Sequence, residues 1–395
     1  MQTIIYFGTP AHGHVNPSLS YVEKLVARNF QVIYYATPEF QQEIVQTGAE
    51  FRAYPLSIKS SLQDLTDSLT DNKHLFRALT LSLKLTTAML PELLNDIKLL
   101  NPALIIHDCV NLVGRLVAEL SDRPALSFYP FVFIDHVGDK ASRLYARHFS
   151  QVLFFGLSDL FPFLKAKAKV KKLYHAKRLS LIDLNFNQEA FNLVSFSRLL
   201  QPESHLQKNY FFIGPSASLR RSESQEIEIP SRPFIYATLG TVAKDDLFID
   251  EIIRQFANSS FDIILIVGKN KFPTDIPKNI HVYDYVNQPQ VLPHATLVLS
   301  TGGMNTINEA IRAHIPLLIY PGQGEQRINA DQVESLKLGR RLKNLKILKK
   351  EAEQLLHPLF QINDELYHAL TDLQLDEAVI QTEKYLATTK HYINT

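Results

Sequence analysis

The chain alternates short apolar runs with helix-length amphipathic stretches, and it does so in two blocks separated by one polar break. That alternation predicts βαβ units feeding parallel sheets, because parallel neighbours need a crossover long enough to hold a helix. In the first block, strands are expected at 3–8, 31–36, 51–54, 103–107, 125–128 and 192–196. Asn16-Pro17 predicts an N-cap and first-turn proline for a helix reaching Arg28, and a longer amphipathic helix is expected over 72–99. The stretch 216–232 has no apolar period, contains Pro230 and reads as a linker. The second block restarts with strands at 234–239, 263–267, 281–285, 296–300 and 316–320. At 395 residues and 46% hydrophobic content, the chain is long enough for two domains. The expected architecture is α/β, with two doubly wound, Rossmann-like parallel-sheet domains facing across a cleft. The first domain would span 1–215, the linker 216–232, and the second domain 233–376. A helical tail over 377–395 would pack back on the first domain.

A net charge of +1 supplies no global field for nucleic acid, and none is expected as a partner. Cys109 is the only cysteine, which excludes an internal disulfide and suits a reducing compartment. The start, Met1-Gln-Thr-Ile-Ile-Tyr-Phe-Gly8, reads as a core strand rather than a signal peptide. No uncharged run approaches the roughly 18 to 20 residues of a membrane span, so a cytoplasmic location is expected.

Chemistry concentrates at two places. Leu297-Val-Leu-Ser-Thr-Gly-Gly-Met-Asn-Thr-Ile-Asn-Glu309 runs an apolar strand into Gly302 and Gly303, then opens a helix with Asn305 and Thr306 and carries Glu309 one turn in. Glycines let backbone approach a ligand closely, and the N–H groups of a helix start favour anions. Pro321-Gly-Gln-Gly-Glu-Gln326 follows. This outlines a nucleotide-diphosphate site with Glu309 on the ribose, although many tight βα turns need glycine for geometry alone. At the other end, Thr9-Pro-Ala-His-Gly-His-Val-Asn-Pro17 follows strand one, and Asp108 closes strand four. Both lie at the carboxyl edge of a parallel sheet. There a neutral His14 imidazole can take a hydroxyl proton, with Asp108 fixing its tautomer. The bland alternatives are a loop-packing His14 and an Asp108 that caps the next helix. His107 faces the other side of the strand and reads as structural. His12 and His14 have no third ligand at suitable spacing, so no metal site is expected.

Taken together, these residues resemble the GT-B glycosyltransferases that use nucleotide sugars, in particular the bacterial macrolide-type branch of the UDP-glycosyltransferase family. Gly13-His14-Val-Asn-Pro17 resembles the segment bearing the family's base, and Asp108 its partner carboxylate. Phe212-Ile-Gly-Pro215 resembles the close of the first domain, and Ala237-Thr-Leu-Gly240-Thr241 the opening strand and turn of the second. Tyr285-Val286-Asn-Gln288 resembles the tryptophan-valine-proline-glutamine stretch that holds the base, and Thr301 to Glu309 with Glu325-Gln326 completes the donor signature.

The resemblance implies an inverting, metal-independent hexosyltransferase that needs no cofactor. It would take a UDP-sugar as donor and a hydroxyl of a small lipophilic acceptor of polyketide, macrolide or phenolic type. Tyr285 would stack on uracil with Val286 and Gln288 at its edge. Thr301, Gly302, Gly303, Asn305 and Thr306 would meet diphosphate, Glu309 the ribose, and Glu325 and Gln326 the sugar. Gly240 and Thr241 would lie near the phosphates. The bland alternatives are strand core for Tyr285 and a solvated loop charge for Glu325. Three positions depart from the family: Thr301 replaces a histidine, Tyr285 a tryptophan and Asn287 a proline. The first bears most on activity, since a hydroxyl offers no imidazolium charge.

The acceptor pocket is expected from 57–93 and 129–164, with Phe131 and Phe133 nearest the chemistry. The stretch 152–179 joins an apolar beginning to Lys165, Lys167, Lys169, Lys171, Lys172, Lys177 and Arg178. On sequence alone a solvated basic helix face is preferred, and a weak peripheral contact with an anionic membrane is the alternative. A membrane lipid or isoprenoid acceptor, or a nucleotide-sugar-binding homologue with weakened catalysis, are the competing functional readings.

Overall fold

The computed structural model describes residues 1–55, 75–134, 142–143, 157–202, 209–216, 227–240, 245–268, 270, 272–322 and 324–393. The chain divides into two units. One comprises Met1–Ser195, Glu203–Leu219 and Leu373–Thr395, and the other Phe196–Pro202 and Arg220–Asp372.

In the first unit, β1 (Thr3–Phe7) runs into α1 (His12–Ala27), followed by β2 (Gln31–Ala36), α2 (Gln41–Gln46) and β3 (Glu50–Ala53). Then come α3 (Leu75–Leu100), β4 (Leu104–Asp108), α4 (Leu112–Ser121), β5 (Ala125–Tyr129), α5 (Leu157–Tyr174), α6 (Leu181–Asn185), β6 (Phe191–Val194) and β7 (Tyr210–Phe212). The strands form one parallel sheet in the order β3-β2-β1-β4-β5-β6-β7. Because strand side chains alternate, Ile5, Phe7 and Ile105 enter the core on one face, and Ile4, Tyr6 and Ile106 the core on the other. A sheet covered on both faces explains why its strands read as continuous apolar runs.

Helix α1 begins earlier than the Asn16-Pro17 signal suggested. Ala11 is extended (φ −148°, ψ 139°), and its carbonyl accepts from His14 N at 2.9 Å and Val15 N at 3.0 Å. The backbone turn after Pro10 therefore starts the helix, Pro17 lies inside it, and His14 sits on its first turn.

The second unit contains β8 (Phe234–Thr238), α7 (Asp246–Phe256), β9 (Asp262–Ile266), β10 (Ile280–Tyr283), α8 (Gln288–Val291), β11 (Leu297–Ser300) and α9 (Met304–Arg312). It continues with β12 (Leu317–Ile319), α10 (Glu325–Ser335), β13 (Gly339–Arg341), α11 (Leu348–Leu355) and α12 (Asp364–Thr371). Its parallel sheet has the order β10-β9-β8-β11-β12-β13. The short segment 196–202 groups with this unit, where the turn Arg198–Leu200 packs on α10.

The last helix, α13 (Leu375–Ile393), returns to the first unit. Ala378, Val379 and Leu386 enter the β1 core, Thr382 Oγ1 lies 2.7 Å from the Tyr21 hydroxyl, and Tyr385 donates to the Ala125 carbonyl at 3.0 Å. Among the described residues no helix is long and apolar enough to cross a membrane.

Candidate functional site

In the first sheet the strand order reverses between β1 and β4, the place where doubly wound folds open a crevice at the strands' carboxyl ends. His14 follows β1 and Asp108 ends β4, and the fold brings them together: His14 Nδ1 lies 2.8 Å from Asp108 Oδ2. Asp108 is buried, whereas the His14 side chain keeps 20% of its exposure. The second carboxylate oxygen, Oδ1, accepts from Thr9 Oγ1 at 3.0 Å and from Val110 N at 3.0 Å. Asp108 therefore holds His14 with one oxygen and is itself held by the other. The ring of Phe131 stands edge-on to His14, centroids 5.5 Å apart.

Beside this pair is a cavity of about 90 Å³, lined by Thr9, Pro10, Tyr54, Val110 to Val113, Leu184 and the inward face of α3 from Ala78 to Met89. The wall is mostly apolar; its polar side chains are Thr9, Tyr54, Ser82, Thr86 and Asn111. Asn111 Nδ2 donates to the Gly8 carbonyl at 3.0 Å and to the Tyr54 hydroxyl at 2.9 Å, which in turn donates to Gly8 O at 2.8 Å. Burial pushes the Tyr54 phenol well above its ordinary value, so it stays a neutral donor fixing the end of β1. Phe133 does not serve this site: it is fully buried and stacks on Tyr210 at 4.4 Å. The sequence pattern missed Thr9, Asn111 and Tyr54; only the period-2 exit of β1 and β4 at one edge could have pointed to them.

Behind Asp108, the buried His107 lies with Nε2 at 3.2 Å from Glu189 Oε1, and Arg178 Nη1 donates to the same carboxylate at 3.0 Å. Burial alone would raise the Glu189 carboxyl, but the hydrogen bond and charge of His107, with Arg178, outweigh it and hold it below its ordinary value. The His12 ring packs edge-on against Phe40, away from this pair. Among the described residues no group of three or more His, Cys, Asp or Glu is placed to hold a metal ion.

The second unit repeats the device. Its strand order reverses between β8 and β11, where Gly240 and Thr301-Gly302-Gly303 emerge; Thr241 lies outside the described residues. Gly302 has φ +89°, and a Cβ there would sit 2.7 Å from Ile319 Cγ2, so the turn closes onto β12 only with glycine. Gly303 leads directly into α9, whose first-turn N–H groups open beyond the strand end. Asn305 and Thr306 lie in that first turn, and Glu309 follows, almost fully buried.

Hydrogen bonds tie the surrounding loops to this turn. Gln288 Nε2 donates to Thr306 Oγ1 at 3.4 Å. Gln326 Nε2 donates to Thr301 Oγ1 at 3.4 Å while its Oε1 accepts from Gly322 N at 3.0 Å. Thr301 spends its own proton on the Leu239 carbonyl at 3.1 Å. β10 stops at Tyr283, so Tyr285 is not strand core: it stands in the following loop with 37% of its surface exposed. Val286 beside it is buried and anchors that loop instead of offering its side chain to a ligand. Glu325 is half-buried and opens α10 rather than lying in a loop.

Residues 240–378 match the model of the glycosyltransferase family 28 C-terminal domain. The chain is 33% identical over 341 residues to the NDP-glycosyltransferase YjiC of Bacillus subtilis, covering 84% of this chain and 82% of that protein. The chain belongs to the macrolide-type branch of the GT-B glycosyltransferases. It is also 25% identical over 361 residues to the oleandomycin glycosyltransferase of Streptomyces antibioticus, covering 86% of this chain and 79% of that one. The crystal structure of the glycosyltransferase of kitacinnamycin superposes with a TM-score of 0.81 at 22% identity, over 98% of this chain and 99% of that one. In this glycosyltransferase an imidazole–carboxylate pair lies at the sheet reversal of the first unit, and a glycine turn opening a helix lies at that of the second.

Proposed function

We propose that this glycosyltransferase moves a hexose from a UDP-sugar to a hydroxyl of a small lipophilic acceptor by a single inverting displacement without a metal. The observation that carries the reading is the 2.8 Å contact between His14 and the buried Asp108 beside an apolar cavity. The acceptor lies against that cavity with its hydroxyl at the second ring nitrogen of His14, Nε2. His14 takes the hydroxyl proton as the oxygen forms its bond to the anomeric carbon. The bond from that carbon to the β-phosphate oxygen breaks, and UDP leaves with the electron pair. Asp108 stabilises the imidazolium that results.

In the second unit, Tyr285 stacks on uracil and Gln288 meets its edge. Gly302, Gly303, Asn305 and Thr306 receive the diphosphate at the start of α9, whose dipole favours the growing negative charge. Glu309 holds the ribose, and Glu325 and Gln326 the sugar hydroxyls. The chain has no Asp-x-Asp sequence, which supports a metal-free step. The oleandomycin glycosyltransferase supports a polyketide-like acceptor by its name, and the largely apolar lining of the cavity is of the same character.

The test is a mass-spectrometric screen of UDP- and dTDP-sugars against lipophilic alcohols and phenols, run with His14→Ala. General-base removal should lower transfer about 10²- to 10⁴-fold while leaving UDP binding intact. Turnover retained in His14→Ala would remove the base role. One observation favours a second reading, a nucleotide-sugar-binding homologue with weak catalysis: the Thr301 hydroxyl is already committed to Leu239. UDP-sugar binding with no transfer to any acceptor would select it.

A further inference from the structure

Helix α5 buries one apolar stripe in the core and carries further apolar side chains, mixed with lysines, on its outward side. Phe163, Ala166 and Val170 enter the first unit's core, with the Phe163 ring 5.3 Å from that of Phe76 on α3. A helix that merely covers the core should be polar on its other face. Here the outward side chains include Phe161, 75% exposed, Leu164, 48%, and Leu173, 54%. Leu164 and Lys165 each lie three or four residues from both Phe161 and Ala168, and Lys172 lies four beyond Ala168, so these side chains share a single face. Lys165, Lys169, Lys171 and Lys172 are exposed, Lys167 is half-buried, and Asp159 is the helix's single acid. None of these lysines makes an ion pair among the described residues.

We infer that this face of α5 is a docking surface for an anionic lipid bilayer. Two facts select a bilayer over a protein. Lysine is depleted at protein interfaces, where its long chain must be ordered and its charge desolvated. At a lipid surface the same lysine lays its methylenes along apolar neighbours and keeps its ammonium among headgroup phosphates. The distribution along the helix fits as well. Phe161, Pro162 and Leu164 form an apolar wedge near one end, and the lysines follow it toward the other. A helix lying in the interface buries such a wedge while its cations meet anionic lipid. The inference goes beyond the transferase reading and does not depend on it.

The experiment is co-sedimentation of the full chain with phosphatidylcholine vesicles and with vesicles containing phosphatidylglycerol, at low and at high salt. Binding should require the anionic lipid and weaken with salt. Each lysine near an anionic surface is worth about five-fold in partitioning, so the triple variant Lys165→Gln, Lys169→Gln, Lys172→Gln should lose about a hundred-fold. The pair Phe161→Ser, Leu164→Ser should also weaken binding, at both salt concentrations. All five positions are exposed, so an unchanged thermal melt checks that the variants fold. No binding to anionic vesicles, equal binding to neutral ones, or binding indifferent to the triple variant would overturn the inference. So would concentration-dependent dimerisation abolished by the Phe161, Leu164 pair, which would assign the face to a second copy.

Discussion

Thr9→Val tests whether the imidazole is held through a chain of contacts rather than by Asp108 alone. Among the described residues the buried Asp108 carboxylate has three donors: His14 Nδ1 at 2.8 Å on one oxygen, and Thr9 Oγ1 and Val110 N, each at 3.0 Å, on the other. Valine keeps the threonine's shape and so preserves the cavity wall that Thr9 contributes, but removes the hydroxyl proton. A hydrogen bond to a charged group contributes about 1.5–3 kcal/mol, which sets a ceiling of about 10- to 150-fold on the loss of rate. Part of that will appear as lost stability, so a fall in kcat of about ten-fold is the working expectation. Steady-state kinetics should show the loss in kcat, with little change in acceptor KM and none in UDP affinity by calorimetry. Thr9→Ser, which restores the hydroxyl, should recover most of the rate; a purely structural role for the methyl would instead make serine the worse variant. A Thr9→Val enzyme with kcat within two-fold of the parent would refute the relay.

Three further outcomes follow from the packing. Gly302→Ala should weaken UDP binding and lower Tm, because it combines φ +89° with a Cβ 2.7 Å from Ile319; a strained backbone of this kind costs about 1–3 kcal/mol, and unchanged calorimetric affinity would show that the turn adapts. The buried Arg115 pairs with Glu119 at 2.7 Å, but its Nε and Nη2 have no hydrogen-bond partner among the described residues. Arg115→Met should therefore be close to neutral in urea melts, whereas Glu119→Gln, which strands the cation, should cost about 3–5 kcal/mol. Glu189 is held below its ordinary value of 4.5. A depressed folded value means its contribution is present above that pH and is lost as pH falls through the lower, folded one. The stability gap between the parent and Glu189→Gln should be constant near neutrality and shrink only below about pH 4.5; a gap unchanged into that acid range would contradict the assignment.

The parallel sheets were legible because buried strands are apolar on both faces, and Ile4 to Phe7 or Leu297 to Leu299 need no tertiary information to be recognised. β13 was not, and its chemistry shows why. Gly339-Arg-Arg341 has no strand composition; it joins the sheet through its backbone, and a Cβ on Gly339 would lie 1.8 Å from the Leu317 carbonyl. The start of α1 was misplaced because a side-chain cap was expected where a backbone carbonyl, that of Ala11, starts the helix. At the site, His14 and Asp108 could be named from strand ends alone. Thr9 and Asn111 could not, since their function is a hydrogen bond across 99 and 103 residues of sequence. Phe133 misled for the usual reason: an aromatic near a site and an aromatic in the core look alike until burial is known.

Thr301 shows what a change in one side chain does to the logic of the second unit. A histidine has two ring nitrogens, so it can bond to the protein with one and present a proton to diphosphate with the other. A threonine hydroxyl has one proton, and here Leu239 O takes it, while the lone pairs face Gln326 Nε2. The residue thus joins the loop after β8 to the start of α10 and brings no positive charge to the turn. Within this turn, charge leaving with UDP would be met by what the backbone supplies: the N–H groups beyond Gly302 and the positive end of α9. Backbone dipoles are fixed in direction and need no protonation, so this contribution to leaving-group stabilisation is independent of pH across the range in which a histidine would lose its charge. The price is magnitude, because a charge-assisted hydrogen bond is about twice as strong as a neutral one. The burden of orientation then falls on the side chains that tie the turn to its neighbours: Gln288 bonded to Thr306, Gln326 to Thr301, and Asn329 to the Gly302 carbonyl.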